Sequence, residues 1–251
     1  LSPWQSGIAS IPCGSAWERK WRQAEPLPAV IVRQASIGSK PNKEICVNFP
    51  DFYDQAPVVR TIDPFAAMLG AAADGVLDYH YVDAVRLAGH SCPTVAGAFL
   101  MGRAALAALY PDQPAERGAI SVRMPAPESE GTTGVVAQVL TLLTGAAGDN
   151  GFYGIQGRFK RRGLLSFASQ REGEAIHFTR RDNDASVSVS LDVSLIPGDP
   201  AQGARMAAIL QDRANDQIRA DFADAWQDRV RRLLLEFADD PRVVRVVQTS
   251  Q

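Results

Sequence analysis

The chain has 251 residues and a formal net charge of −2, with 46% hydrophobic and 22% charged residues, which is the profile of an ordinary globular protein long enough to bury a real core. That balance excludes a dedicated nucleic-acid binder, and no apolar run reaches the roughly 18 to 20 residues of a membrane-spanning helix, so neither nucleic acid nor membrane is an expected partner.

The first 28 residues are rich in Pro, Gly, Ser and Trp and read as an arm that packs Trp4, Trp17 and Trp21 on another surface. Residues 29–36 (AVIVRQAS) and 44–49 (EICVNF) are apolar and β-branched around a Gly-Ser-Lys-Pro-Asn turn, the pattern of a hairpin. Asp63 then caps, and Pro64 opens, a helix expected over 64–74. A second helix is expected around 82–87, followed by the loop Gly89-His90-Ser91-Cys92-Pro93. Beyond it, TVAGAFLMGRAALAALY is apolar or small nearly all round, so this helix should be buried on most of its surface, with Gly97 and Gly102 permitting close approach. A strand is expected over 119–124 and a helix over 135–143 that ends near Thr144-Gly145. Segments 164–168, 175–179 and 186–195 alternate in strand fashion between polar turns and predict an antiparallel meander. Residues 202–237 form an amphipathic helical region carrying Ile209, Ile218, Phe222, Trp226, Leu233 and Leu234.

The organisation that results is an arm and hairpin over 1–62, a core over 63–200 and a helical region over 201–251 that packs on the core. The fold class expected is α+β, an antiparallel or mixed sheet packed with helices. Three cysteines, Cys13, Cys46 and Cys92, are an odd number without CxxC spacing. A disulfide framework or a closed four-cysteine zinc site is therefore disfavoured, and a reducing, cytoplasmic setting fits best.

The 89–93 loop carries the chemistry. Pro93 at the first helical position makes Cys92 the N-cap, where unpaired backbone N–H groups and the positive end of the helix dipole favour a thiolate. His90 lies two residues earlier, so imidazole and sulfur could share one volume and hold Zn²⁺ or a related transition ion. A catalytic zinc takes three protein ligands, so a third would have to come from elsewhere in the fold. From spacing alone, site chemistry and a structural cysteine beside a hydrogen-bonded histidine are equally open.

On these residues the chain resembles the FmdE family, named after a component of the formylmethanofuran dehydrogenase operon, whose signature is a His-Gly-His-x-Cys-Pro loop followed by a glycine-bearing helix. Here the loop reads Ala88-Gly89-His90-Ser91-Cys92-Pro93, and Val139 to Phe167 (VLTLLTGAAGDNGFYGIQGRFKRRGLLSF) is similar to the family's Leu-Thr-Gly turn, glycine-rich segment and basic strand. The likeness covers roughly residues 63 to 195. It implies an α+β core, a homodimer, and a metal held by His90 and Cys92 in a pocket. Ala88 replaces the first loop histidine, and the family's next cysteine and C-terminal zinc finger are absent.

Glu128 and Glu130, in the loop that replaces the family's cysteine-bearing segment, are the candidates for the missing ligand, against the plainer reading of solvated loop carboxylates. His80 and Asp83 read first as helix-surface groups, and His177 as an exposed strand residue. Thr132-Thr133-Gly134 and Asp149-Asn150-Gly151 read as turns that could also line a ligand pocket. The basic run Arg158-Phe159-Lys160-Arg161-Arg162 reads as a solvated face or turn before an anion contact. The leading functional expectation is a zinc-dependent protein in which His90 and Cys92 are the metal-binding and catalytic pair, with room for a small-molecule ligand. The alternatives are a metal-free Cys/His thiol enzyme, and a non-catalytic metal or cofactor carrier or oxidoreductase accessory protein.

Overall fold

A computed structural model describes residues 48–249. The N-terminal arm with Trp4, Trp17 and Trp21, the hairpin except for its last two residues, Cys13 and Cys46 lie outside these residues.

The fold is α+β, with two mixed sheets packed against helices. After a 3-10 turn at Asp51–Gln55 come β1 (Val59–Ile62), α1 (Pro64–Met68) and β2 (Val76–Tyr79). Strand β1 pairs antiparallel with β2 and parallel with the short β3 (Ala115–Glu116). Asp63 caps α1 through its side chain, accepting from Phe65 N at 2.9 Å, and Pro64 occupies the first turn. The helix stops short of the expected 74 because Gly70, at φ +69°, takes the left-handed conformation that ends helices.

Helix α2 (Tyr81–Ala88) leads through the 89–93 loop into α3 (Pro93–Leu109), the central element. Eleven of its residues, from Val95 to Leu109, are buried, as a composition apolar or small nearly all round predicts. Each fully buried side chain of the Phe99 or Leu100 kind contributes about 1.5 to 3 kcal/mol of apolar transfer. The glycines allow the approach: a Cβ on Gly97 would collide with Leu191, and one on Gly102 would lie 2.6 Å from Leu143 Cδ1. Strand β4 (Ile120–Met124) and helix α4 (Thr133–Thr144) follow, the helix ending at Gly145 with φ +72°.

The second sheet has the order β5-β4-β6-β7-β8. Strand β5 (Leu165–Phe167) runs parallel to β4, whereas β6 (Ile176–Arg180), β7 (Ser186–Leu191) and β8 (Val244–Thr249) add antiparallel. The expected meander is thus corrected at its first strand: β5 is an edge, separated from β6 by β4. Two backbone bonds hold it there, from Val122 N to Leu164 O at 2.7 Å and from Ala168 N to Met124 O at 3.1 Å. The third segment ends at 191, not 195, because Asp192 folds back to accept from Ser194 N at 2.8 Å. The C-terminal helical region is two helices, α5 (Gln202–Leu210) and α6 (Asp216–Leu235). Asn215 caps α6 by accepting from Ile218 N at 2.9 Å. Strand β8 was not among the expected elements.

Candidate functional site

The 89–93 loop is built by two opposite backbone demands. Gly89, at φ +73°, terminates α2 with its N–H on Val85 O at 2.8 Å. Cys92 is extended and is the N-cap of α3, its Sγ accepting from Val95 N at 3.5 Å with Pro93 next in line. The cysteine is 8% exposed and belongs to the hydrophobic core. His90 is exposed, and its Nδ1 lies 3.0 Å from the carbonyl oxygen of its own neighbour Ala88. The two side chains expected to share one volume therefore occupy different surroundings, one in the core and one at the surface.

Between them, Ser91 is the residue most firmly held. Its hydroxyl is 2.9 Å from the Tyr81 hydroxyl, and its carbonyl accepts from Trp226 Nε1 at 3.0 Å and Gln227 Nε2 at 3.4 Å. Burial pushes the Tyr81 phenol far above its ordinary range, outweighing the hydrogen bond with Ser91 that pulls the other way, so Tyr81 acts as a neutral hydroxyl.

The remaining proposed ligands lie elsewhere. Glu130 pairs with Arg171 at 2.6 Å, while Glu128 is exposed and has no ion-pair partner among the described residues. His80 is the N-cap of α2, and Asp83 accepts from its backbone N–H at 2.9 Å, a local capping arrangement. His177 is exposed on β6, with Nδ1 2.8 Å from Ser188 Oγ. No three His, Cys, Asp or Glu side chains among the described residues form a group that could hold a metal ion.

A different charged cluster is built into the interior. Asp63 is 4% exposed, and its two oxygens accept from Arg117 Nη1 and Arg161 Nη2, each at 2.7 Å, beside the two backbone N–H groups of α1. Burial alone would raise the Asp63 carboxyl, but the hydrogen bond from Arg117 and the charges of Arg161 and Arg117 outweigh it and hold the group below the usual carboxylate range. Burial lowers Arg161, the Asp63 charge opposing it. Arg117 Nη2 reaches Leu142 O at 3.0 Å, satisfying a carbonyl near the C-terminus of α4, and its guanidinium sits over the Tyr79 ring. Gly118 is required here, since it has φ +84° and any Cβ would collide with the Arg161 guanidinium.

Beside this cluster opens a cavity of about 980 Å³. One wall is a single face of α4, with Gly134, Ala137, Gln138, Thr141 and Leu142 at helical spacing. The facing wall is the edge strand β5, through Leu165, Ser166 and Phe167, and the loop Ala147–Asn150 closes one side. Leu87, Arg117, Glu128 and Gly163 complete the lining. Of the sequence candidates, the cavity gathers Glu128, Gly134, Asp149 and Asn150, but neither His90 nor Cys92. Gln138, Thr141 and Ser166 were missed, because a polar residue on an otherwise apolar helix or strand carries no mark of its own in one sequence. The Asp63, Arg117 and Arg161 cluster was missed for lack of any local signal.

The chain matches no protein-family model and no curated protein.

Proposed function

We propose that the protein binds a small amphipathic amine in the cavity between α4 and β5. The observation that carries this reading is the composition of the lining. Apolar walls from Leu87, Ala137, Leu142, Leu165 and Phe167 surround a few polar groups, and the Glu128 carboxylate has no cation paired to it among the described residues. A concave, mostly apolar site with a small number of directed polar groups is the usual form of a small-molecule pocket. An ammonium facing Glu128 would gain a charge-assisted hydrogen bond, and Gln138, Thr141 and Ser166 offer further acceptors along the walls. The other charged groups of the lining are engaged, Asp149 by Arg162 at 3.0 Å and Arg117 by Asp63 at 2.7 Å, which leaves Glu128 as the group to define charge preference.

Titration calorimetry of the full chain with tyramine and a series of aliphatic primary amines tests this. Saturable binding is expected, weakened about 10- to 100-fold by Glu128→Gln, the range for losing a hydrogen bond to a charged group. Absence of binding by every amine, or unchanged affinity in the variant, would overturn the reading.

A second reading is favoured by the cap at Cys92, where a sulfur accepting a backbone N–H at a helix start is placed to act as a nucleophile. It requires a substrate to reach a thiol that sits in the core. Alkylation of the native protein by iodoacetamide tests it: reaction as fast as that of an exposed free thiol supports the reading, and protection until unfolding defeats it.

A further inference from the structure

The basic run over 158–162, expected as a solvated face or turn, is one arm of a short hairpin with Arg158 and Lys160 exposed. Ile155 and Arg158 exchange both backbone hydrogen bonds at 2.9 Å, and the two residues between them, Gln156 and Gly157, have φ of +49° and +80°. Positive φ at both central positions is the signature of a tight type I′ hairpin turn. At the base, Arg161 N and Arg162 N both donate to Phe152 O, at 2.9 and 3.1 Å. The Arg161 side chain anchors the base to buried Asp63, and the Arg162 guanidinium covers the Tyr153 ring at 4.4 Å from its centroid. The hairpin is thus held in place from beneath while its tip is left outside.

What the tip presents is apolar. Phe65 of α1 stacks on Phe152 and on Phe159, with centroids 5.0 and 5.2 Å apart, and Met68 and Leu69 follow Phe65 at helical spacing on the same face. Leu69 is 62% exposed and Tyr153 69%, with Met68, Phe152 and Ile155 each above 40%. Five large hydrophobic side chains left outside on two adjoining segments form a patch that the other described residues do not bury. The cations beside it are unbalanced. Arg158 and Lys160 are exposed and have no carboxylate partner among the described residues, whereas Asp63 and Asp149 are already engaged by Arg161 and Arg162.

We propose that the tip of this hairpin and the end of α1 form a docking surface for a bilayer containing anionic phospholipid. Aromatic and aliphatic side chains would enter the interface, while Arg158 and Lys160 meet the headgroups; this combination of apolar insertion and surface cations is how peripheral proteins attach. The aliphatic members decide between anionic partners, because Met68, Leu69 and Ile155 offer nothing for nucleobases to stack on, so the patch favours lipid over single-stranded nucleic acid. No helix among the described residues is long and apolar enough to cross a membrane, and docking of this kind needs none. The inference does not depend on the cavity ligand.

Flotation of the full chain with vesicles of phosphatidylcholine alone, and of phosphatidylcholine with an equal share of phosphatidylserine, tests the proposal. The protein is expected to float several-fold better with the anionic vesicles and to lose that advantage as salt is raised. Two surface variants, Tyr153→Ser with Ile155→Ser and Arg158→Glu with Lys160→Glu, should each reduce the bound fraction several-fold while retaining the wild-type thermal melt. Failure of the wild type to float with either vesicle would overturn the proposal, as would equal binding to both compositions or variants that bind as well as the wild type. Binding of a labelled single-stranded oligonucleotide without binding of vesicles would assign the patch to nucleic acid instead.

Discussion

Arg161 and Asp63, 98 residues apart in sequence, meet at 2.7 Å in the interior, where the same carboxylate also caps α1 and accepts from Arg117. One acidic side chain thereby ties the first helix to the loop after β3 and to the base of the 152–162 hairpin. Two part-buried guanidinium groups depend on it.

Removing that carboxylate should therefore cost more than a surface ion pair would. Asp63→Asn keeps the shape and part of the cap but leaves Arg117 and Arg161 without their counter-charge, and breaking a buried pair from one side costs about 3 to 5 kcal/mol. Urea unfolding of the variant measures it, and a loss below about 1 kcal/mol, the surface-pair range, would show that the cluster is solvated. Gly118→Ala, which displaces Arg161, should reproduce part of the loss.

The same cluster predicts a pH signature. The Asp63 carboxyl is depressed in the folded protein, so its stabilising contribution is fully present above the unfolded-state value of about 3.9 and is lost as pH falls from there through the lower folded value. Wild-type stability should fall in that acid window more steeply than that of Asp63→Asn, with the two curves converging at the lowest pH. Parallel curves would contradict the assignment.

Trp226 governs the 89–93 loop through its bond to Ser91 O. Trp226→Phe keeps the ring packed near Phe222 but leaves that carbonyl with only the longer bond from Gln227, at a cost of about 1 to 2 kcal/mol. Because the loop ends at Cys92, the variant should also speed alkylation of the native thiol. An unchanged alkylation rate would mean that Trp226 stabilises α6 without restraining the loop.

For the cysteine itself, the cap predicts a graded series. Cys92→Ser retains an acceptor for Val95 N, whereas Cys92→Ala removes it and should cost about 1 kcal/mol more in chemical unfolding, the usual value of an N-cap. His90→Ala should stay within about 0.5 kcal/mol of wild type, since the exposed ring's only hydrogen bond among the described residues is to Ala88 O.

These residues also mark how far the sequence alone could be read. Asp63-Pro64 and Cys92-Pro93 announce helix starts because proline is tolerated at the first turn and its neighbour is left to cap, and both starts are found there. The buried run after Pro93 is equally legible, since Arg103 is the single charged residue within it. Strand β5 is not: three residues carry no pattern that says which neighbour they will pair with, and its parallel place beside β4 is settled by tertiary contacts. The same holds for the partnership of Asp63 with Arg117 and Arg161, which no local spacing encodes. At the candidate site, His-x-Cys looked like a shared volume because adjacent residues are easily imagined side by side. The helix cap turns Cys92 inward and leaves His90 at the surface. The cavity was half visible, since Thr132-Thr133-Gly134, expected as a turn but found as the start of α4, and the turn at 149–151 stood out by their Gly, Asn and Asp, while the rest of the α4 face opposite β5 did not.

The central claim is that the cavity between α4 and β5 is the binding site, and amide chemical-shift mapping tests it most directly. With tyramine added to ¹⁵N-labelled full chain, shifts should concentrate on Gly134, Gln138, Gly148, Asn150 and Ser166, and Gln138→Trp, which fills the cavity from an exposed lining position, should abolish them. Shifts centred on His90 and Ser91, or a Gln138→Trp protein that binds as the wild type does, would contradict the account.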